Sequence, residues 1–261
     1  MILRYLRRLI PQYVRTRTKK VFGMATTRLH PDWDILRLIG PLERPHVVLD
    51  VGAHHGWFLH SWQEWCPKAE VHAFEPTAES YAKMNDLYGK NPRVHLVRAG
   101  VGAQAGELTL KILKESQVSN SFLTPDATIW GGIEYRTGDI EQRLVSVITL
   151  DDYCARAGIQ SVFMIKIDVQ GFEKEVLKGA GRTLEITDYV FVESGIRRLY
   201  EGAPSFAEVH LEMEKRGFHL MTMRAWHRGN NSLVETDMLF RRNELTPDID
   251  RQQDRYYVEL R

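Results

Sequence analysis

From residue 46 onward, short apolar runs alternate with amphipathic segments. Short runs rich in β-branched residues predict strands that are buried on both faces, and apolar residues spaced three or four apart predict helices. The strands predicted in this way are residues 46–51, 70–75, 93–97, 162–168 and 188–194, and the helices are 57–65, 77–88, 171–179 and 205–216. This alternation favours an α/β fold with a mostly parallel sheet that carries helices on both faces.

Two other segments have the strict alternation of half-buried strands. Residues 106–113 and 144–149 predict a hairpin whose strands are separated by a polar loop of roughly thirty residues. Residues 218–223 and 235–240 predict a closing antiparallel pair. A long loop inside a compact domain commonly serves as a lid or a binding segment. We therefore interpret residues 46–242 as one domain in which 104–149 form an inserted hairpin and lid.

The two ends of the chain differ from this domain. Residues 1–31 hold eight basic side chains and no acidic one, with apolar residues at near-helical spacing. This pattern fits a solvated basic arm, packed on its own body or on a second copy in a homo-oligomer. It also fits an amphipathic helix that makes peripheral contact with an anionic membrane. Residues 32–45 are predicted to form a lead-in helix, and residues 243–261 a polar C-terminal tail.

Composition narrows the class of protein. Of 261 residues, 43% are hydrophobic and 26% are charged, as in ordinary globular proteins. No stretch of 18 apolar residues predicts a membrane-spanning helix, and arginines interrupt the one segment that resembles a signal peptide. The two cysteines, Cys66 and Cys154, have no CxxC spacing, so neither a zinc knuckle nor a redox pair is predicted. We expect a cytoplasmic protein, at the inner face of the membrane if its first segment contacts lipid.

The charge distribution argues against nucleic acid as a partner. The whole chain carries 35 basic and 34 acidic side chains. Removing the eight basic residues of the first segment leaves 27 basic against 34 acidic residues, a net charge of −7 for residues 32–261. A broad nucleic-acid surface needs clustered Lys and Arg, which an acidic body does not supply.

A glycine-bearing turn follows the first predicted strand and precedes a helix, in the sequence D-V-G-A-H-H-G at residues 50–56. In open α/β sheets, ligands bind outside the carboxyl ends of the strands. Gly52 and Gly56 have no Cβ atoms to hold a ligand away from the backbone. Asp50 can accept hydrogen bonds from a ligand ammonium group or from turn amides. A tight turn without a ligand is the alternative interpretation.

Glu75 ends the second predicted strand, where its carboxylate can accept hydrogen bonds from both hydroxyls of a ribose. The alternative is a solvated glutamate at a strand end. Both NAD and S-adenosylmethionine sites use an acid at this place, but dinucleotide sites also need G-x-G-x-x-G to meet the pyrophosphate. That motif is incomplete here, since His54 and His55 fill the turn. A ligand without phosphate fits better, such as S-adenosylmethionine with its amino-acid end toward Asp50.

Four blocks together resemble the FkbM-type methyltransferase family over about residues 46–240. They are D-V-G-A-H-H-G, A-F-E-P at 73–76, V-I-T-L-D-D-Y at 147–153 and, most specifically, K-I-D-V-Q-G-F-E-K-E-V-L-K-G-A at 166–180. The resemblance implies a class I methyltransferase Rossmann-like sheet of seven strands with the last one reversed. It implies S-adenosylmethionine as methyl donor, S-adenosylhomocysteine as product, and a hydroxyl of a sugar, lipid-linked glycan or polyketide as acceptor. His54 and Gln170 depart from the Asn and Glu that the family often has there.

Candidate site residues follow from these patterns. The expected cofactor-binding residues are Asp50, Gly52, Ala53, His54, Gly56, Glu75, Pro76, Ala99, Gly100 and Asp168. Asp168 ends the fourth buried strand and is the first candidate for a general base, with capping of the next helix as its alternative role. Glu173, on the first turn of that helix, is the reserve candidate. Glu193, at the end of the fifth strand, is the third and is expected mainly to orient the acceptor. Lys166 is expected to form a structural ion pair with Asp168 or Glu173.

The expected acceptor-binding residues are polar and aromatic side chains of the insert and of the closing pair, namely Ser119, Asn120, Ser121, Trp130, Tyr135 and Trp226. No His/Asp/Glu triplet has metal-ligand spacing along the chain, so no metal ligand is predicted. The sequence thus predicts an S-adenosylmethionine-dependent O-methyltransferase acting on a glycan or another hydroxylated metabolite. A non-catalytic S-adenosylmethionine-binding or scaffold protein is the alternative, and a nicotinamide-dependent oxidoreductase the third possibility.

Overall fold

The computed structural model describes residue 36 and residues 38–39, 46–113, 119–126, 140–227 and 233–244, with the backbone alone for residues 226 and 227. The strands are β1 Val47–Val51, β2 Glu70–Phe74, β3 Val94–Val97, β4 Gly100–Val101, β5 Gly106–Leu113, β6 Ile140–Ile148, β7 Val162–Ile167, β8 Thr187–Gly195, β9 Phe218–His227 and β10 Leu233–Arg242. The helices are α1 Trp57–Trp65, α2 Ala78–Tyr88, α3 Leu150–Ala157, α4 Glu173–Lys178, α5 Gly181–Glu185 and α6 Phe206–Lys215.

Seven strands form the central sheet in the order β3-β2-β1-β7-β8-β10-β9. The pairs from β3 to β8 are parallel, and β10 is antiparallel to both of its neighbours. The predicted α/β class, with a mostly parallel sheet and a reversed last strand, is therefore confirmed. The closing pair is longer than predicted, because β9 and β10 each extend over ten residues.

The strands are buried on both faces, as their apolar runs predicted. Val48 packs in one core cluster, whereas Leu49 and Val51 pack in the other. The cluster of Val48 includes apolar side chains of α1 and α2, among them the fully buried Trp62. The opposite cluster takes its side chains from α3, α4, α5 and α6. The domain is thus a three-layer sandwich whose sheet has no solvated face at its centre.

Parallel pairing brings the carboxyl ends of three strands to one edge of the sheet. β1 ends at Val51, β2 at Phe74 and β7 at Ile167, and the register pairs Val51 with both of the others. The segments that follow these strands, 52–56, 75–77 and 168–172, therefore lie side by side. This is the edge at which open α/β sheets bind their ligands.

The inserted segment supplies two strands, β5 and β6, of a second, three-stranded sheet, and β4 before the insert supplies the third. β5 and β6 are antiparallel from Gly106 opposite Val147 to Leu113 opposite Ile140, and β4 pairs with β6 in parallel. The predicted hairpin is therefore present, although β6 begins four residues earlier than predicted. The lid assignment stays a prediction, because Trp130 and Tyr135 lie outside the described residues.

Two helices were not predicted from the sequence, α3 and α5. The signal for α3 is its N-cap, where the Thr149 hydroxyl accepts a hydrogen bond from the Asp152 amide at 3.1 Å. Only Leu150 and Cys154 of this helix are buried, so its apolar stripe is too short to give a clear helical period. α5 has five residues and is shorter than any reliable periodic signal.

Most of the two predicted end segments lies outside the described residues. Of the lead-in segment, Leu36 is fully buried in the same core cluster as Trp62. The basic segment 1–31 and the tail from residue 245 are not described, so their predicted roles stay predictions. Among the described residues, no helix combines the length and the apolar character needed to cross a bilayer.

Candidate active site

A cavity of about 760 Å³, open to solvent, lies at the carboxyl ends of β1, β2 and β7. Because this volume includes open solvent, the lining residues and not the size identify the cavity as a candidate small-molecule site. Residues expected to bind a cofactor or an acceptor form much of its lining, namely Gly52, His54, Glu75, Pro76, Ala99, Gly100, Asn120, Ser121 and Asp168. The other walls are mainly apolar side chains that the sequence did not single out, Val51, Trp57, Phe74, Val101, Leu110, Phe122 and Val169.

The turn after β1 is held tightly against β2. The amides of Gly52 and Ala53 both donate to the Phe74 carbonyl, at 3.1 and 3.0 Å. Gly52 has φ +78°, and a Cβ atom there would lie 1.8 Å from the Asp168 carbonyl oxygen. Gly56, with φ +77°, is the N-cap of α1. Gly52, Ala53 and Gly56 therefore determine the conformation of the turn. Of these three residues, only Gly52 lines the cavity.

His54 occupies the left-handed region with φ +49°. Asn and His are both enriched in this region, so the His that stands where the family often has Asn preserves the turn. Burial and the neighbouring His55 lower the pKa of His54 to about 3. The imidazole is therefore neutral at physiological pH and brings no positive charge to the cavity.

Glu75 is buried, with 5% of its surface exposed, so the solvated alternative is wrong. Its Oε2 accepts a hydrogen bond from the His54 amide at 2.9 Å, and its Oε1 accepts from the amide and hydroxyl of Thr77 at 2.8 and 2.5 Å. Burial raises the pKa of Glu75, although these hydrogen bonds act in the opposite direction. A carboxylate has about four acceptor positions. Three are used here, and the fourth, on Oε2, is left for one ligand hydroxyl.

A buried lysine joins β7 to the turn. The Lys166 ammonium lies 3.2 Å from Asp50 Oδ1 and 3.6 Å from Asp168 Oδ2, and it donates to the Gly52 carbonyl at 2.8 Å. Burial favours the neutral amine, but the attraction of Asp50 and Asp168 outweighs it and raises the pKa of Lys166. The predicted ion pair with Asp168 is therefore present, whereas the closer pair with Asp50 was not predicted. Asp50 is fully buried beneath the turn with Lys166 as its partner, and its contact with a ligand ammonium stays a prediction.

Asp168 lines the cavity with about a quarter of its side chain exposed. Its Oδ1 accepts a hydrogen bond from Gln170 Nε2 at 2.9 Å. The alternative role as a helix cap is not seen, since the N-cap of α4 is Phe172 and no side chain caps that helix. Asp168 therefore presents its carboxylate to the cavity, as expected of a base candidate.

Gln170 connects the cavity to the inserted segment and to the loop after β8. Its backbone lies in the left-handed region with φ +54°. Its carbonyl accepts a hydrogen bond from the Ser121 hydroxyl at 2.6 Å, and its Oε1 accepts from the Tyr200 hydroxyl at 3.0 Å. The side-chain amide of Gln170, where the family often has Glu, is thus hydrogen-bonded at both its nitrogen and its oxygen. Sequence reasoning noted the replacement but not this connecting role, and it missed Tyr200.

A second, smaller pocket shares Gln170 with the first. It is lined by Glu173, Glu193 and Glu235. Burial raises the pKa of Glu173 to about 7, and burial together with Asp168 and other nearby carboxylates raises that of Glu193 well above its ordinary value. Both reserve candidates therefore face this pocket and not the first one. Glu193 lies within β8, which continues to Gly195, and not at the strand end that the sequence predicted.

The expected acceptor residues divide among several places. Asn120 and Ser121 line the first cavity, whereas the Ser119 carbonyl accepts a hydrogen bond from the Tyr200 hydroxyl at 3.1 Å. Trp226 lies in β9, where its backbone pairs in register with Glu235. Their part in acceptor binding stays a prediction.

Comparisons with known proteins agree on one family. The chain matches the profile of the methyltransferase FkbM domain over residues 50–220. It is 29% identical over 174 residues to the 2-O-methyltransferase NoeI of Sinorhizobium fredii, covering 64% of this chain and 70% of that protein. It is 25% identical to the 31-O-demethyl-FK506 methyltransferase FkbM of Streptomyces tacrolimicus, covering 66% and 72%. It is 23% identical to the hexuronic acid methyltransferase AglP of Haloferax volcanii, covering 63% of each chain.

The close approach at Gly52 predicts a large loss of stability in Gly52→Ala. An alanine pays roughly 1–2 kcal/mol for the left-handed backbone, and overpacking against the Asp168 carbonyl adds about 1–3 kcal/mol. We expect the free energy of unfolding, measured with urea, to fall by the sum of the two. Gly158→Ala is the matched control, because Gly158 has φ +69° with open space around its missing Cβ. Equal losses in the two variants would contradict this explanation.

The buried Glu173 predicts a pH-dependent stability. Below pH 4.5, the ordinary pKa for Glu, the carboxyl is protonated in both the folded and the unfolded chain. Between pH 4.5 and about 7 the unfolded chain releases this proton while the folded chain keeps it, so stability falls as pH rises, by roughly 3 kcal/mol at most. Glu173→Gln removes the ionisation and should gain stability relative to wild type between pH 5 and pH 8, measured with urea.

A carboxylate on the same helix provides the control for this pH effect. Glu175 is partly exposed and pairs with Lys178 at 2.5 Å. We expect Glu175→Gln to leave the difference between pH 5 and pH 8 as it is in the wild type. If Glu173→Gln also left that difference unchanged, the carboxyl of Glu173 would not be the buried protonated group.

Proposed function

Because the chain belongs to the FkbM methyltransferase family, we propose that it transfers the methyl group of S-adenosylmethionine to a hydroxyl oxygen of a sugar or sugar-containing molecule. The names of two relatives support an oxygen acceptor, since one is a 2-O-methyltransferase and another a 31-O-demethyl-FK506 methyltransferase. The observation that carries the proposal is the position of Asp168, whose carboxylate lines the larger cavity beside Gln170, the residue that borders both pockets.

The larger cavity is the proposed donor site, and its residues fit S-adenosylmethionine. Glu75 retains one acceptor position, on Oε2, which would take a ribose hydroxyl. The apolar walls at Phe74, Val101 and Phe122 suit the flat face of an adenine. The turn after β1 uses its Gly52 and Ala53 amides on Phe74 and so offers neither of them to a pyrophosphate. When bound, the donor supplies an electrophilic methyl group on a sulfonium.

We propose that the acceptor binds at the mouth of the smaller pocket, which has room for a hydroxyl group and not for a whole sugar ring. Its lining includes Tyr200 and three carboxyl groups, which suit the hydroxyls of a sugar. Gln170 fixes the boundary between the two pockets through its hydrogen bonds to Asp168 and Tyr200. An acceptor hydroxyl at this boundary would lie next to Asp168 and point toward the donor cavity. Alignment of this kind is the main contribution that a protein makes to a single displacement.

Asp168 is the proposed general base. As the acceptor oxygen forms its bond to the methyl carbon and the bond from that carbon to sulfur breaks, the hydroxyl proton passes to the Asp168 carboxylate. The Lys166 ammonium, 3.6 Å from Asp168 Oδ2, and the Gln170 amide hold this carboxylate in place. A positioned base contributes about 10²–10⁴-fold to such a reaction.

The charged groups at the smaller pocket favour a neutral or amino sugar over a uronic acid, because the carboxylates of Asp168 and Glu235 outnumber the single guanidinium of Arg197. Glu173 and Glu193 are buried, and their raised pKa values allow them to donate hydrogen bonds to sugar oxygens. A carboxylate on the acceptor would add a further negative charge close to Asp168 and Glu235. The proposed acceptor thus differs from the one in the name of the relative called a hexuronic acid methyltransferase.

The proposal is tested with the purified full chain, S-adenosylmethionine carrying a labelled methyl group, and a panel of neutral sugars, amino sugars, uronic acids and glycans. We expect labelled methyl ethers of neutral or amino sugars to form, and we expect a lower kcat/KM with uronic acids. Donor binding without methyl transfer to any hydroxylated acceptor would overturn the proposal and favour a binding or scaffold protein. Preferred transfer to a uronic acid would overturn the charge argument alone.

The Asp168→Asn variant distinguishes the loss of the proposed base from a loss of donor binding. We expect kcat to fall by at least about 100-fold, because the amide cannot take the proton. Donor affinity, measured by calorimetry, should change little, since Asn keeps the shape and one oxygen acceptor. Asp152→Asn, a half-exposed residue on α3, is the control and should leave both quantities unchanged. An unchanged kcat in Asp168→Asn would remove this residue from the base role.

A further inference from the structure

Three possible metal ligands meet on the sheet at a place that the sequence spacing did not reveal. Glu70 and His72 share one face of β2, and the parallel register sets His72 beside His95 of β3. Glu70 Oε1 lies 2.8 Å from His95 Nε2 and 3.4 Å from His72 Nε2. All three ligand atoms lie within 4.8 Å of one another. The separation along the chain hides this triplet, because His95 comes from the neighbouring strand.

His72 gives an independent reason to expect a ligand. Only 3% of its surface is exposed, and its Nε2 has no hydrogen-bond partner among the residues that the structure describes. Its other ring nitrogen, Nδ1, is hydrogen-bonded to the Tyr153 hydroxyl at 2.8 Å. A metal-binding histidine almost always uses its second nitrogen in this way, and the contact fixes the ring orientation. The unpartnered nitrogen faces Glu70 and His95.

The environment of the three residues suits an ion that enters from solvent. The side chains of Glu70 and His95 are 46% and 43% exposed, whereas His72 forms the buried floor. The two imidazole rings are stacked with centroids 4.4 Å apart and planes 14° from parallel. Two stacked rings direct their Nε2 lone pairs side by side, so binding of an ion requires the exposed His95 ring to turn about its Cβ–Cγ bond. Solvent access also leaves a fourth position for water.

We propose that Glu70, His72 and His95 bind a divalent transition-metal ion, Zn²⁺ in the first place, with water as the fourth ligand. Two imidazoles and one carboxylate form a donor set that zinc accepts, whereas Mg²⁺ and Ca²⁺ prefer oxygen ligands alone. None of the three residues lines the cavity that takes the proposed donor. The ion would tie β3, the four-residue strand at the edge of the sheet, to β2. This site is independent of the proposed methyl transfer.

The test titrates Zn²⁺ alone into full-length protein that has been dialysed against a chelator, in competition with a zinc-sensitive dye. We expect the wild type to bind one ion with sub-micromolar affinity. Glu70→Gln and His95→Ala each remove one exposed ligand with little risk to folding and should weaken binding by at least about tenfold. Tyr153→Phe removes the hydrogen bond to His72 and should weaken binding by about 10–100-fold.

His210→Ala is the matched control. His210 lies on α6 and faces one carboxylate, that of Glu214, at 3.9 Å. We expect this variant to bind zinc as the wild type does. Zinc should also raise the Tm of the wild type and of His210→Ala, but not that of His95→Ala, because an ion that binds only the folded chain stabilises it. No stoichiometric binding by the wild type, or equal affinity in the wild type, Glu70→Gln and His95→Ala, would overturn the proposal.

Discussion

The candidate active site of this methyltransferase depends on one buried cation. Lys166 belongs to β7, and its buried ammonium contacts Asp50 of β1, Asp168 and the Gly52 carbonyl. Each contact ties a different part of the site to the sheet. Asp50 belongs to the strand below the turn, Gly52 to the turn itself, and Asp168 to the segment that carries the proposed base. Loss of one partner from a buried ion pair costs roughly 3–5 kcal/mol, because the other charge is left without compensation. The geometry of the turn and the position of Asp168 therefore depend on the same ammonium group of Lys166.

Close packing of the turn after β1 against the segment that carries Asp168 explains the residues found in this turn. The turn lies so close to the Asp168 backbone that residue 52 has no room for a Cβ atom. His54 then takes a left-handed conformation, and its amide reaches Glu75 at the end of β2. From β7 the chain continues to Gln170, which also adopts a left-handed conformation and holds the inserted segment through Ser121. Two unusual backbone positions therefore join the sheet, the proposed donor cavity and the insert. Strain of this kind is typical of functional sites.

Much of the fold followed from hydrophobic patterning, because strands buried on both faces and amphipathic helices leave clear periods. α1 and β5 have the predicted bounds, and the reversed β10 lies where the family resemblance implied. That resemblance is confirmed by the family profile, and the nicotinamide-dependent alternative is wrong. The site was predicted less completely. The sequence placed Asp50 and Glu75 at strand ends but did not reveal that Asp50 already has a partner in Lys166, or that Thr77 occupies one Glu75 oxygen. Contacts across parallel strands, such as His72 beside His95, depend on register, which a single sequence does not give.

Asp50 and Lys166 should therefore act as one unit beneath the proposed donor cavity. The most direct test is a double-mutant cycle with Asp50→Asn, Lys166→Met and the double variant, in which the free energy of unfolding is measured with urea. If the pair is one unit, the double variant loses less stability than the two single losses together, with a coupling free energy of about 2 kcal/mol. Losses that add to within about 0.5 kcal/mol would contradict the account.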